Sequence, residues 1–336
     1  MASANSRRGA RACGMSLRVA ILDDYQNVAL RLADWNSIGE DVAAQSLREH
    51  LFTEDDAAER LADFDVLVLM RERFGISASL MARLPRLKYI VVTGSHTQIV
   101  DVAAAKARGI PVSLTGATAS WSAAEHTWAL LLALARNIAI EDRNMREGRW
   151  MSEVGFRLEG KTIGLLGLGN LGARVAHYAR AFDMKVIAWS ENLTAERAQE
   201  AGAEWVTKNE LLASADVISV QLKLSLRTRG LIGAAEFAKM KRSAVFINTS
   251  RGPIVDEAAM IQALENGLIL RAGLDVYDSE PMAPDHPLRS VKNTVLTPHI
   301  GFSVEEGLHE FYREAAALIR DWRAGRVRNV YDGFRG

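Results

Sequence analysis

A single cysteine, Cys13, occurs among the 336 residues, so no disulfide can form within the chain. That fits a reducing compartment, and a cytoplasmic protein is the expectation. Neither sign of charge predominates. Lys+Arg and Asp+Glu both number 41, and the formal net charge is zero. Without a basic excess there is no electrostatic footprint for nucleic acid or an anionic membrane surface. No apolar run reaches the roughly 20 residues needed to span a bilayer. The seven histidines are scattered without metal-ligand spacing, and no metal site is expected. Long repeats and low-complexity tracts are also lacking. What remains is a globular composition, 49% hydrophobic and 24% charged, at a length that suggests two domains.

The first fourteen residues stand apart. Met1–Gly14 carries Arg7, Arg8 and Arg11 and no acid, and it lacks the apolar core of a secretory signal. It has some transit-peptide character. The plainer readings are a disordered extension or a misassigned start, with Met15 as the initiator.

From there the chain alternates between short apolar runs and helical segments, the pattern of parallel sheets. The first runs are Leu17–Leu22, Val66–Met70, Tyr89–Thr93 and Ile110–Ser113, with helical segments such as Ala57–Ala62 and Ile76–Leu84 between them. A long helix is expected over Ser122–Arg146, opened by a capping box of Ser122 and Glu125. An irregular stretch from Arg149 to Leu158 follows, whose Trp150 and Phe156 suit either an arm on another subunit or local core. A second series then begins. Its expected strands are Thr162–Leu166, Lys185–Trp189, Val217–Val220, Ala244–Asn248, Ala272–Asp275 and Thr294–Thr297. Six strands with intervening helices match a dinucleotide-binding domain. A last helix is expected over Val304–Arg323.

The second series opens on Gly167-Leu168-Gly169-Asn170-Leu171-Gly172. A lone GxGxxG says little, but this one follows an apolar strand and starts a helix. Gly167 permits the tight turn, Gly169 lets backbone approach a pyrophosphate, and Gly172 allows close helix–sheet packing. Ser190 and Glu191, at the end of the next strand, are placed to address the adenosine ribose. Glu191 has near the spacing of a carboxylate on the 2′-hydroxyl. No arginine follows at once to pair a 2′-phosphate, so NAD is expected, with NADP the alternative.

Farther on lie a cation, a carboxylate and an imidazole. Arg251 sits in Asn248-Thr249-Ser250-Arg251-Gly252, Glu280 in Asp275-Val276-Tyr277-Asp278-Ser279-Glu280-Pro281, and His299 in Thr297-Pro298-His299-Ile300-Gly301. Reduction of a ketone by hydride creates an alkoxide that needs a proton, and histidine suits that role near neutral pH. A carboxylate on its other nitrogen fixes the tautomer. An arginine can grip a substrate carboxylate. Singly, each has a bland reading as a surface cation, a turn acid or a structural histidine.

Their flanking segments resemble the D-isomer-specific 2-hydroxyacid dehydrogenase family. The similarity runs from about Leu87 to Gly301 and includes Gly109-Ile110-Pro111-Val112, Ala124-Glu125-His126-Thr127-Trp128, the glycine motif, Thr228-Arg229-Gly230-Leu231-Ile232 and Gly273-Leu274-Asp275-Val276-Tyr277. The resemblance implies two Rossmann-like, doubly wound α/β domains, the cofactor domain being inserted into the substrate domain. Residues 15–117 plus 302–336 would be the substrate domain and 118–301 the NAD(P)-binding domain. It implies that Arg251 binds substrate, Glu280 supports His299, and His299 is the acid/base. It further implies that Asp275 contacts the nicotinamide carboxamide and that Asn170 and Leu171 lie on the pyrophosphate. The substrate carboxylate would meet the loop Gly94-Ser95-His96, with Arg71 nearby. The expected reaction is hydride transfer between nicotinamide and a D-2-hydroxy acid/2-keto acid pair, in a homodimer.

The sequence departs from the family in places. Gln221-Leu222-Lys223-Leu224 lacks the usual proline after its strand, and His96-Thr97-Gln98 is unusual, which leaves the substrate open. Glu280 in place of glutamine argues against formate. No C-terminal regulatory domain is recognised. The competing reading is a cofactor-sensing binding protein, because C-terminal-binding-protein corepressors share the fold and similar residues. Zero net charge and the lack of interaction tails count against it.

Overall fold

In a computed structural model of the protein, residues 16–95, 97–116 and 121–333 are described. The N-terminal extension, Met15 and His96 lie outside the described residues. The chain forms two compact units: the described residues of Met1–Ala119 with Glu305–Gly336, and those of Ser120–Val304. The second unit therefore interrupts the first in sequence.

The first unit holds β1 (Leu17–Ile21), β2 (Val42–Ser46), β3 (Val66–Leu69), β4 (Tyr89–Val92) and β5 (Val112–Leu114). They form a parallel sheet in the order β2-β1-β3-β4-β5. Every residue of β3 and β4 is buried, as a parallel sheet covered on both faces requires. On one face Leu67, Leu69, Ile90 and Val92 join Leu80 and Ile76 in a single core. Tyr89, of opposite parity, stacks on Trp322 of the helix Glu305–Arg323, with ring centroids 5.0 Å apart. That helix is further tied to this unit by Arg31–Glu305 at 2.9 Å and Arg323–Asp41 at 2.6 Å. Thr53, Ser77 and Asp101 cap three of its helices by accepting N–H bonds from Asp56, Leu80 and Ala104.

The second unit holds β6 (Thr162–Leu166), β7 (Lys185–Trp189), β8 (Glu204–Trp205), β9 (Val217–Val220), β10 (Val245–Asn248), β11 (Arg271–Leu274) and β12 (Thr294–Leu296). The sheet is parallel, in the order β12-β11-β10-β9-β6-β7-β8. Its strands alternate between two cores. Phe246, Ile218 and Val220 face one, and Val245, Ile247 and Val217 face the other. Each such side chain contributes about 1.5–3 kcal/mol through burial. Both units are doubly wound α/β sheets, which is the expected fold class.

Four local expectations are corrected. The second sheet has seven strands, because the two-residue β8 pairs with β7 through Ile187–Glu204 and Ala188–Trp205. Two residues carry no readable alternation. In the first sheet β2, a weakly apolar edge strand of alternating half-buried and exposed residues, was not anticipated. The long helix is divided into Ser122–Ala135 and Ile138–Arg146. Asn137 between them has φ +56°, and Arg271 donates to the Leu134 carbonyl and to the Asn137 side chain. Nor does a capping box open the first part: Trp121 is the N-cap residue, and Ser122 lies inside the helix, buried.

Candidate active site

All strands of the second unit are parallel, so the loops that follow them share one edge, where open α/β sheets bind ligands. The order reverses between β6 and β9. The glycine turn leaves β6 at that switch point. Gly167 has φ +105°, and a Cβ there would lie 2.6 Å from the Gln221 carbonyl oxygen just past β9. A Cβ on Gly172 would lie 2.4 Å from the Gly167 carbonyl oxygen. Both closures exclude any larger residue. A Cβ on Gly169, by contrast, would meet nothing within 4 Å. Gly169 precedes the twelve-residue helix Asn170–Ala181 and supplies no side-chain cap. A helix start of this kind offers its N–H groups and positive dipole end to a phosphate. These features fit a dinucleotide pyrophosphate at Gly169, Asn170 and Leu171. Ser190 and Glu191 follow β7 on the same edge, Ser190 half-buried and Glu191 exposed.

The three chemical residues follow neighbouring strands. Arg251 comes after β10, Glu280 after β11 and His299 after β12. Asn248 braces the first loop by accepting from the Ser250 N–H and donating to the Arg251 carbonyl, both at 3.0 Å. The Ser250 hydroxyl donates to the Val220 carbonyl on β9 at 3.0 Å. The Arg251 guanidinium donates to the Ser250 carbonyl at 2.7 Å.

His299 and Glu280 are joined directly. His299 Nδ1 lies 2.5 Å from Glu280 Oε2, and the other carboxylate oxygen accepts the Tyr277 N–H at 3.0 Å. The two side chains are 23% and 24% exposed, so the pair is reachable but largely shielded from bulk water. The Phe302 ring meets the imidazole edge-on at 6.0 Å. Tyr277 links the ends of β11 and β12, its hydroxyl 2.9 Å from the Thr297 carbonyl and 3.2 Å from that of Leu274. Burial, reinforced by the charges of Asp275 and Glu280, pushes the phenol well above its ordinary range, so it remains a neutral donor.

Asp275 is 1% exposed. Its carboxylate accepts the Ile300 and Gly301 N–H groups at 2.9 and 2.8 Å and the Thr297 hydroxyl at 2.6 Å, with His126 Nε2 at 3.2 Å. Burial alone would raise its pKa. His126, Thr297 and the Ile300 N–H together outweigh burial and hold it below the ordinary aspartate range. The group is ionised and ties down the loop on both sides of His299, whose own φ is +53°.

In the first unit, Arg71 and Gly94 follow the adjacent strands β3 and β4. Arg71, at φ +51°, donates its N–H to Thr93 Oγ1 at 2.9 Å, and Gly94 donates to Thr115 Oγ1 at 2.9 Å. The Arg71 guanidinium lies 3.7 Å from where a Gly94 Cβ would be. Ser95 is exposed, and Tyr331 donates to the Thr97 carbonyl beyond it at 2.8 Å. His126, Thr127 and Thr249, which belong to the signature segments, were not singled out as site residues from sequence. They were visible only as parts of motifs, because the contacts that give them meaning are 122–171 residues away.

The family model for the D-isomer specific 2-hydroxyacid dehydrogenase NAD binding domain matches residues 128–301. The glyoxylate reductase of Aeropyrum pernix is 39% identical over 261 residues, covering 75% of this chain and 78% of that protein. The D-3-phosphoglycerate dehydrogenase of Archaeoglobus fulgidus is 36% identical over 292 residues, 86% of this chain. The chain spans about half of that longer relative, 54% of its length. Among solved structures, the phosphoglycerate oxidoreductase of Vibrio cholerae superposes with a TM-score of 0.87 at 31% identity, covering 92% of this chain and 99% of that one. The D-lactate dehydrogenase of Escherichia coli does so with a TM-score of 0.79 at 26% identity, covering 94% and 99%. With the glycine turn, the parallel seven-stranded sheet and the Glu280–His299 pair in place, this chain belongs to the D-isomer-specific 2-hydroxyacid dehydrogenase family, as an NAD-dependent oxidoreductase acting on the CH–OH group of its donors.

Proposed function

We propose that the chain reduces a small 2-keto acid to the D-2-hydroxy acid, and catalyses the reverse oxidation, with His299 as proton donor and acceptor. The 2.5 Å contact between His299 and Glu280 carries this reading. Because Nδ1 is committed to the carboxylate, proton transfer falls to Nε2. Glu280 fixes the tautomer and orients the imidazole, which donates a proton to the forming alkoxide. Arg251 holds the substrate carboxylate and orients the adjacent carbonyl. Arg71, Gly94 and Ser95, at the ends of β3 and β4, are the substrate-binding residues assigned within the first unit. When bound, the nicotinamide supplies the hydride in reduction and accepts it in oxidation. Asp275 is assigned to its carboxamide, since Oδ2, which accepts the Gly301 N–H, retains acceptor capacity.

In this reading the second unit, approximately residues 118–301, is the cofactor domain, and residues 15–117 with 302–336 form the substrate domain. Ser190 and Glu191 favour NAD over NADP at the ribose. The protein acts as a homodimer in the cytoplasm. The dimer is supported by Trp150, Met151 and Val154, which are 75%, 83% and 92% exposed on a segment otherwise secured by Glu141. Glyoxylate, hydroxypyruvate and pyruvate are the first substrates to test, with bulkier 2-keto acids, each with NADH and NADPH. Oxidation of cofactor by at least one of them is expected, with NADH preferred. Cofactor binding without turnover across the panel would instead favour a cofactor-sensing protein.

A further inference from the structure

Helix Ser122–Ala135 crosses β10, β11 and β12 at close range because β11 carries Gly273. A Cβ at that position would meet Leu134 Cδ1 at 3.0 Å and Leu130 Cβ at 3.2 Å. The close approach brings the helix's first turns to the carboxyl edge of the sheet. Two successive side chains there reach two different loops.

Thr127 is 1% exposed, and its hydroxyl donates to the Ala123 carbonyl at 2.8 Å. Its single proton is thereby used, so at 2.6 Å the Thr249 hydroxyl must be the donor to Thr127. Thr249 is two residues before Arg251. His126 Nε2 lies 2.9 Å from Thr297 Oγ1 and 3.2 Å from Asp275 Oδ1. Thr297 is two residues before His299, and Asp275 binds the two N–H groups that follow it. Satisfying buried polar groups would not by itself require neighbouring residues to be bonded to the Arg251 loop and the His299 loop separately.

We infer that His126 and Thr127 are positioning residues, Thr127 setting the Arg251 loop through Thr249 and His126 setting the His299 loop through Thr297 and Asp275. This rests on the roles assigned to Arg251 and His299 above. Both groups act at a distance from the reacting atoms, and a misplacement of about 1 Å costs up to about 100-fold in rate.

The test compares Thr127→Val with Thr127→Ser, and His126→Leu with His126→Gln, by keto-acid kinetics, NADH affinity and histidine NMR of the cofactor-free protein. Thr127→Val is expected to raise the keto-acid KM by about tenfold with kcat nearly unchanged, as expected when a carboxylate grip is loosened. His126→Leu is expected to lower kcat by about tenfold or more with a smaller change in KM, and to move the His299 imidazole signals. NADH affinity stays within about twofold for Thr127→Val, and the Ser and Gln variants recover most of the loss because each keeps a hydrogen-bonding group. If Thr127→Val or His126→Leu does not fold, Thr127→Ala or His126→Ala is judged by the same criteria. Parental kinetics in the disruptive variants would overturn the inference. So would a loss that falls equally on kcat, KM and NADH affinity without rescue. Arg251→Gln and His299→Gln are assayed alongside. Activity in those two would sink the underlying assignment, whereas their inactivity beside parental His126 and Thr127 variants would sink the positioning inference alone.

Discussion

Glu280 Oε2 stands 2.5 Å from His299 Nδ1, while its partner oxygen takes the Tyr277 N–H at 3.0 Å. The carboxylate is thus anchored to one loop and directs the imidazole of another. Glu280→Gln keeps the shape and removes the charge. Keto-acid reduction should fall by about 10- to 100-fold, less than the roughly 100- to 10,000-fold of a whole general acid–base contribution because His299 itself remains. A parental rate in a folded variant would remove Glu280 from this role.

Gly172→Ala tests the glycine turn by steric crowding. The new methyl would sit 2.4 Å from the Gly167 carbonyl oxygen, which is backbone and cannot rotate away. NADH binding, measured by fluorescence titration, should weaken by roughly tenfold or more as the helix is pushed off the turn. Parental affinity in a folded variant would contradict the assignment of this turn to the pyrophosphate.

Asp65 offers a test of pH-dependent stability in the first unit. It is nearly inaccessible and accepts the Arg18 N–H at 3.0 Å, with Arg86 and Lys88 each at 2.9 Å. Burial pushes its pKa up, but the Arg18 N–H and the two cations outweigh it, and the net displacement is downward. A depressed carboxyl stabilises the fold above its unfolded pKa of about 3.9, and that stabilisation is lost as pH falls through the lower folded value. Asp65→Asn should therefore melt below the parent near neutral pH, with the gap narrowing on acidification below about pH 4. A gap that stays constant from about pH 7 to pH 3 would show that the charge is immaterial.

Trp150→Arg probes the proposed dimer. The indole is 75% exposed on the segment between the second short helix and Leu158, so the change should leave the protomer's fold intact. Light scattering coupled to gel filtration should show the parent at twice the chain mass and a shift of the variant towards one chain. A monomeric parent, or a variant that stays fully dimeric, would contradict the role given to this segment.

Much of the architecture was legible because both sheets are parallel and buried on both faces. Such strands are near-continuous apolar runs, as in Tyr89–Val92 and Val245–Asn248, and they stand out from helical segments without any partner being known. Edge strands gave weaker signals. Val42–Ser46 alternates between half-buried and exposed, and Glu204–Trp205 is too short to alternate at all. The undivided helix was a reasonable reading of local propensity. It failed because Arg271, 134 residues away from Asn137, donates to the Leu134 carbonyl and to the Asn137 side chain at the break.

The chemical types at the site were determined by sequence alone: an arginine, a glutamate and a histidine in separate signature segments behind a glycine turn. Those identities set what each group can donate, accept or hold. Tertiary structure decided their connections. Neighbouring parallel strands bring the three segments to one sheet edge, and Glu280 meets His299 across two loops. Gly273 lets a distant helix place His126 and Thr127 against Thr297 and Thr249. Hydrogen bonds act over about 3 Å, so residues far apart in sequence acquire these partners only when the sheet and its covering helix are assembled.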